Sequence, residues 1–336
     1  MRRIFPAFFT IAIITLCADT WALHFIGYGD TRSSATTHQQ IVDAFAKVNP
    51  ELVVHSGDLW DGYSASQFKS ILTKNSNIAA LLNANKFLVA RGNHEDESAV
   101  LAFSPSIVRD HSIRYSFTEG NTYFVCIGYD PSQNTAWLEQ QLSSTASRNA
   151  RWRVIYGHVP VYSSGEHGAS GVTAFEALCD KYKVTLYISG HDHIYERTWP
   201  IVEKKVTTKT APFASTAGTI YIVTGGGGAP LYDVGSNWWT ATKISTNHWC
   251  DIDAADDHLT LTAKKIDGSV IDQFTIKTPT TEIVNPIQTP APATGDSLDT
   301  DETNQGNCGT GALLALIPPL TISTAGALRR KKSKKS

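Results

Sequence analysis

Seven polar residues carry the chemistry of this chain: Asp30, Asp58, Asn93, His94, His158, His191 and His193. Asp30, Asp58, Asn93, His158 and His191 each directly follow a glycine. Carboxylates, an amide oxygen and imidazoles together suit Fe, Mn or Zn. A carboxylate such as Asp58 can bridge two ions about 3.5–4 Å apart, the spacing of two-metal hydrolases. Histidine ordinarily titrates near neutrality, so His94 is a candidate proton donor to a leaving group. His191 and His193 alternate on an extended segment and face different directions unless the chain turns between them, which suits one His per ion.

These residues need elements that bring them together. Leu23–Gly27, Leu52–His55 and Phe87–Ala90 are short apolar runs that read as strands ending at the glycines. Ile113–Phe117, Tyr123–Ile127, Trp152–Tyr156 and Val184–Ile188 read the same way. Helical spacing covers Thr37–Val48, Ser66–Asn83, Thr135–Leu142 and Thr173–Tyr182. After this the helices stop, and Thr219–Thr224, Leu259–Ala263 and Val270–Ile276 read as a final β-rich section. Strands alternating with helices predict an α/β fold with a mostly parallel sheet. Ligands of such sheets sit beyond the carboxyl ends of the strands, where every glycine pair falls. Cys126 and Cys179 lie in apolar runs and are expected to be buried rather than bridged.

The ordered motifs Gly29-Asp30, Gly57-Asp58, Gly92-Asn93-His94-Glu95, Gly157-His158 and Gly190-His191-Asp192-His193 resemble those of the calcineurin-like metallophosphoesterases. The run Gly190 to Arg197 looks most like the purple acid phosphatase branch. The resemblance covers roughly residues 23–280 and implies a four-layer α/β/β/α sandwich. It implies two metal ions, Fe with Zn, Mn or Fe. Asp30, Asp58 and His193 would hold the first, and Asp58, Asn93, His158 and His191 the second. A metal-bound hydroxide would attack phosphorus, with His94 as the general acid. His167 would contact substrate.

Two positions depart from the family pattern. The purple enzymes place a tyrosinate ligand three residues after the second motif's Asp, where this chain has Asp61, with Tyr63 two residues later. The wider superfamily uses a His two residues after the first Asp, where this chain has Arg32. The first ion thus lacks its usual fourth protein ligand, and the charge-transfer colour should be absent. Asp61 is a candidate replacement ligand, and Arg32 a candidate bidentate clamp on a substrate phosphate. The Gly225–Gly228 run lacks a following helix, which argues against a P-loop; it resembles a Gly-rich turn near the family's metal site. Trp238, Trp239 and Trp249 are expected in the core.

The ends read as addresses. Met1-Arg2-Arg3, an apolar stretch and small residues near Ala18 and Ala22 predict a signal peptide over residues 1–22. Residues 281–305 read as a Pro/Thr/Asp-rich linker. Residues 306–336 hold Cys308, an uncharged stretch and a basic tail. This resembles bacterial C-terminal sorting signals, which implies membrane association, a sorting protease and export to the periplasm, cell surface or medium. The formal net charge is −2, yet residues 23–307 hold 21 basic and 30 acidic groups, a net of −9. An acidic body argues against a nucleic-acid partner; a small phosphorylated substrate is what the phosphatase resemblance implies.

The expected function is therefore an exported phosphomonoesterase of acid phosphatase type. The alternatives are a phosphodiesterase or nucleotidase, or a surface binding protein on a degenerate phosphoesterase fold.

Overall fold

A computed structural model describes residues 22–103 and 112–278. The signal peptide expected over 1–22 (Ala22 apart), the linker over 281–305 and the segment over 306–336 lie outside the described residues.

Two seven-stranded sheets form the body. The first runs Phe213–Ala214, Val270–Lys277, His258–Lys265, His248–Ala254, Leu23–Tyr28, Leu52–His55, Phe87–Val89. The second runs Thr240–Ile244, Tyr195–Thr198, Ile220–Thr224, Leu186–Ser189, Trp152–Tyr156, Thr122–Cys126, Tyr115–Glu119. Leu23–Tyr28, Leu52–His55 and Phe87–Val89 are parallel neighbours, as are Thr122–Cys126, Trp152–Tyr156, Leu186–Ser189 and Ile220–Thr224. Both sheets are mixed rather than mostly parallel. The strands late in the chain are joined by short connections, which force antiparallel neighbours. His248–Ala254 pairs antiparallel with Leu23–Tyr28, so the β-rich end of the chain extends the first sheet.

The period-2 alternation of a strand sorts side chains into layers. In the second sheet Phe124, Val154, Tyr156, Leu186 and Ile188 join a central cluster with Phe25 and Ile252 of the first. Their neighbours Tyr123, Val125, Ile155 and Tyr187 join a separate cluster with Leu138, Leu142, Phe175 and Leu178. Those last four come from the helices Thr135–Leu142 and Thr173–Tyr182. The sheets meet at Phe25 and Phe124, edge to face with centroids 5.2 Å apart. Helix Ala35–Phe45 closes the opposite layer through Phe45, which packs on Tyr28 and Trp249 at 5.2 and 6.2 Å. The order of layers is α/β/β/α.

The helix expected over Ser66–Asn83 is two helices, Ala65–Thr73 and Ser76–Asn83. Asn75 between them is extended, at φ −97° and ψ 121°, and starts the second helix. The Asn75 side chain makes no cap hydrogen bond; its Nδ2 donates instead to Asp43 Oδ1 at 2.8 Å. Cys126, Cys179 and Cys250 are buried and unbridged. Trp249 is in the core and Trp239 is half-buried, but Trp238 is 49% exposed, a correction to the expectation for the three tryptophans.

Candidate metal centre

Three of the expected ligands sit in left-handed backbone just past their strands: Asp30 at φ 58°, Asp58 at φ 58° and His191 at φ 70°. Asp and His are among the non-glycine residues that tolerate this region. The turn directs each side chain across the sheet ends. Asp30 N–H donates to the Gly57 carbonyl and Thr31 N–H to the Asp58 carbonyl, both at 2.9 Å, which locks the first two loops together. The glycines before the ligands are required by space. A Cβ at Gly92 would collide with Asp58 Oδ1, and one at Gly190 with Asp30 Oδ2.

The six expected ligands come together at the sheet ends. Donor atoms of Asp30, Asp58 and His158, all buried, lie within 4.8 Å of one another. His158 Nδ1 is 2.8 Å from the Ser56 carbonyl. A carbonyl only accepts, so Nδ1 carries the proton and Nε2 keeps its lone pair. That lone pair faces Asn93 Oδ1 at 2.8 Å, Asp58 Oδ1 at 3.3 Å and His191 Nδ1 at 3.3 Å. His191 Nδ1 is 3.0 Å from Asn93 Oδ1. A proton on His191 Nδ1 would satisfy only one of these acceptors. Asp58 and His158 are buried while Asn93 is exposed and His191 half-buried, and two buried acceptors left facing one another are costly. A cation among them removes the cost, and the mixture of imidazole, carboxylate and amide oxygen fits Fe, Mn or Zn. This set fits a metal ion.

Asp30, Asp58 and His193 differ. His193 Nδ1 donates to the Pro230 carbonyl at 2.6 Å, so Nε2 is again a lone pair, 3.6 Å from Asp30 Oδ1. The Asp30 carboxylate accepts the His191 N–H at 3.0 Å to each oxygen. The Arg32 guanidinium lies among these atoms. Its Nε donates to Asp58 Oδ2 at 3.1 Å, and its Nη2 is 3.5 Å from His193 Nε2. A fixed positive charge therefore already stands against the first set of donors. The turn at Gly190 to His193 sends His191 to one set of donors and His193 to the other.

His94 stands at the rim. Its backbone N–H donates to Asp58 Oδ1 at 3.1 Å and its Nε2 is 3.8 Å from Asp58 Oδ2. Asp61, considered as a replacement ligand, instead reaches His94 Nδ1 at 2.7 Å. Tyr63 does not supply the missing tyrosinate. Its hydroxyl donates to the carbonyls of Thr31 and Leu59, and burial first of all raises its pKa. His167 is exposed and stacks on His191, with centroids 4.3 Å apart, which puts it at the mouth. Tyr232, not singled out in the sequence, stacks on His193 at 4.1 Å. The Gly-rich turn packs under the ligands: Gly227 N–H donates to the Gly29 carbonyl and Ala229 N–H to the Asp30 carbonyl. Ser56 and Pro230 also orient ligands. Their signal is a backbone carbonyl, which no residue type announces.

Electrostatics favours the ligand-ready forms of the imidazoles and of Asp58, but not of Asp30. Burial lowers His158, takes His191 down to about 3 and His193 to about 4, which favours the neutral imidazole in all three. Burial raises Asp30, and Asp58 beside it adds to the effect. For Asp58 burial also acts upward, but His158, the His94 N–H and Arg32 outweigh it and hold the carboxyl low. Glu95, beneath the loop, accepts from Leu59 N–H and Gly92 N–H; burial and Asp58 push it up to about 7.

A family model described as calcineurin-like phosphoesterase matches residues 14–195. The probable inactive purple acid phosphatase 1 of Arabidopsis thaliana is 29% identical over 295 residues, spanning 73% of this chain and 46% of that protein. The Fe(3+)-Zn(2+) purple acid phosphatase 12 of the same plant is 28% identical over 166 residues, spanning 41% of this chain and 35% of that protein. The chain thus spans less than half the length of either relative. Among solved structures, a purple acid phosphatase from yellow lupin (Lupinus luteus) seeds shares the fold, with a TM-score of 0.64 at 22% identity over 76% of this chain and 54% of that one.

Proposed function

Because the chain belongs to the calcineurin-like phosphoesterase family, we propose that it is a metal-dependent phosphoric ester hydrolase of the purple acid phosphatase type, acting on phosphomonoesters. The observation that carries this reading is the convergence of Asp58 Oδ1, Asn93 Oδ1, His158 Nε2 and His191 Nδ1 beside His94. A bound ion supplies Lewis-acid charge to the phosphoryl oxygens. His94 gives its Nε2 proton to the departing oxygen. Asp61 accepts the His94 Nδ1 proton, which holds the ring in one orientation. His167 and Arg32 line the mouth, where an ester's oxygens and leaving group would lie.

Similarity to an iron–zinc enzyme supports Fe and Zn as the ions. The pair expected from the sequence, Fe with Zn, Mn or Fe, would also need the Asp30, Asp58 and His193 donors. The N-terminal and C-terminal segments support export, membrane association through residues 306–336 and processing by a sorting protease.

The test is metal content and p-nitrophenyl phosphate hydrolysis on the full chain and on Asn93→Ala. The expected result is bound metal with turnover in the wild type, and loss of both in the variant. Faster hydrolysis of bis-p-nitrophenyl phosphate would assign a diesterase instead. Bound metal without turnover of either ester would assign a binding protein on this fold.

A further inference from the structure

The two donor sets around Asp58 differ in what faces them, and the difference sets how many ions the site takes. Around His158 Nε2 stand Asn93 Oδ1 at 2.8 Å, Asp58 Oδ1 at 3.3 Å and the His191 ring Nδ1 at 3.3 Å, none of them a fixed cation. Around His193 Nε2 the nearest polar hydrogen belongs to Arg32, whose Nη2 is 3.5 Å away. The same guanidinium donates through Nε to Asp58 Oδ2 at 3.1 Å. One set of lone pairs calls for a cation, and the other already has one.

The arginine is held in place by its neighbours. It is two residues from Asp30, and its backbone N–H donates to the Asp58 carbonyl at 3.2 Å. Its Nη1 reaches Ser33 Oγ at 3.3 Å. The side chain is only 15% exposed. A guanidinium carries its positive charge on a planar fork of donors and offers no acceptor. A divalent ion bound by Asp30, Asp58 and His193 would have to displace this charge or sit against it.

Resting on the reading of the site as a metallophosphoesterase, we infer that Arg32 is the permanent second cation of the centre. The chain then binds one metal ion, at Asp58, Asn93, His158 and His191. Asp30 and His193 serve the guanidinium and the loop geometry rather than a second ion. A centre built this way keeps two cations beside one shared carboxylate while holding a single exchangeable metal. The guanidinium also presents planar N–H donors suited to phosphate oxygens.

The experiment counts ions rather than turnover. Full-length wild type, Arg32→Ala and Arg32→Lys are saturated with Zn, and separately with Mn, freed of excess and measured by native mass spectrometry and elemental analysis. The expected counts are one ion per chain in wild type and in Arg32→Lys, which keeps a cation, and two in Arg32→Ala. Two ions in wild type would overturn the inference. One ion in Arg32→Ala would overturn it as well, because Asp30 and His193 would then not be metal donors even when freed. An Arg32→Ala chain that fails to fold leaves the wild-type count as the deciding value. A wild type with one ion and no esterase activity would sink the phosphoesterase reading and leave the count standing.

Discussion

The Asp61 carboxylate lies 2.7 Å from His94 Nδ1, and the opposite nitrogen of that ring faces Asp58 at 3.8 Å. The position in which the purple enzymes carry a metal-binding tyrosinate is thus occupied by a partner for the proposed acid. Asp61 is about half exposed at 51%, so its contribution is to ring orientation rather than to stability.

Asp61→Asn should slow hydrolysis of alkyl phosphates by about 10²-fold, within the range for general acid catalysis. p-Nitrophenyl phosphate, whose leaving group needs little protonation, should lose much less. Metal content should not change. Equal losses on both substrates would mean that Asp61 acts on something other than proton transfer.

Acid should weaken the fold through His38. Its ring is buried between the hydroxyls of Tyr28 and Tyr63, and burial lowers its pKa to about 3. Below pH 6.5 the unfolded chain takes up a proton that the folded imidazole refuses, so stability falls as pH drops from 6.5 to about 3. The slope from this group is about 1.4 kcal/mol per pH unit. Urea unfolding at pH 7 and pH 5 should show wild type losing about 2 kcal/mol more than His38→Gln. The same loss in both proteins would clear His38 of the effect.

Arg197 ties the two sheets together. Its Nε and Nη2 donate to the two Asp272 oxygens at 2.6 and 3.2 Å, and Tyr195 donates to the same carboxylate at 2.7 Å. Both partners of the pair are buried. Breaking a buried pair strands the remaining charge and costs about 3–5 kcal/mol. Asp272→Ala should lose that much in urea unfolding while the ion count stays at the wild-type value. A drop in bound metal would mean that this pair also shapes the centre.

The sequence alone determined the strand ends and which residues are candidate ligands, because both are local. An apolar run ending in a glycine and then Asp, Asn or His describes a strand, a turn and a donor with no knowledge of the rest of the chain. Gly29-Asp30, Gly57-Asp58 and Gly92-Asn93 were legible for that reason, and the helices Thr135–Leu142 and Thr173–Tyr182 came from their own periodicity. The sequence could not show the mixed sheets, since pairing of Leu23–Tyr28 with His248–Ala254 joins residues more than two hundred positions apart. Nor could it assign Arg32, Asp61 and Tyr63, three polar residues near the first two motifs with similar claims to the site. Packing separated them: Tyr63 turns down to His38, Asp61 out to His94, and Arg32 across to Asp58 and to His193, 161 positions away. Backbone carbonyls finished the selection. Ser56 and Pro230 choose which nitrogen of His158 and His193 keeps its lone pair, and only the tertiary fold brings those oxygens within reach.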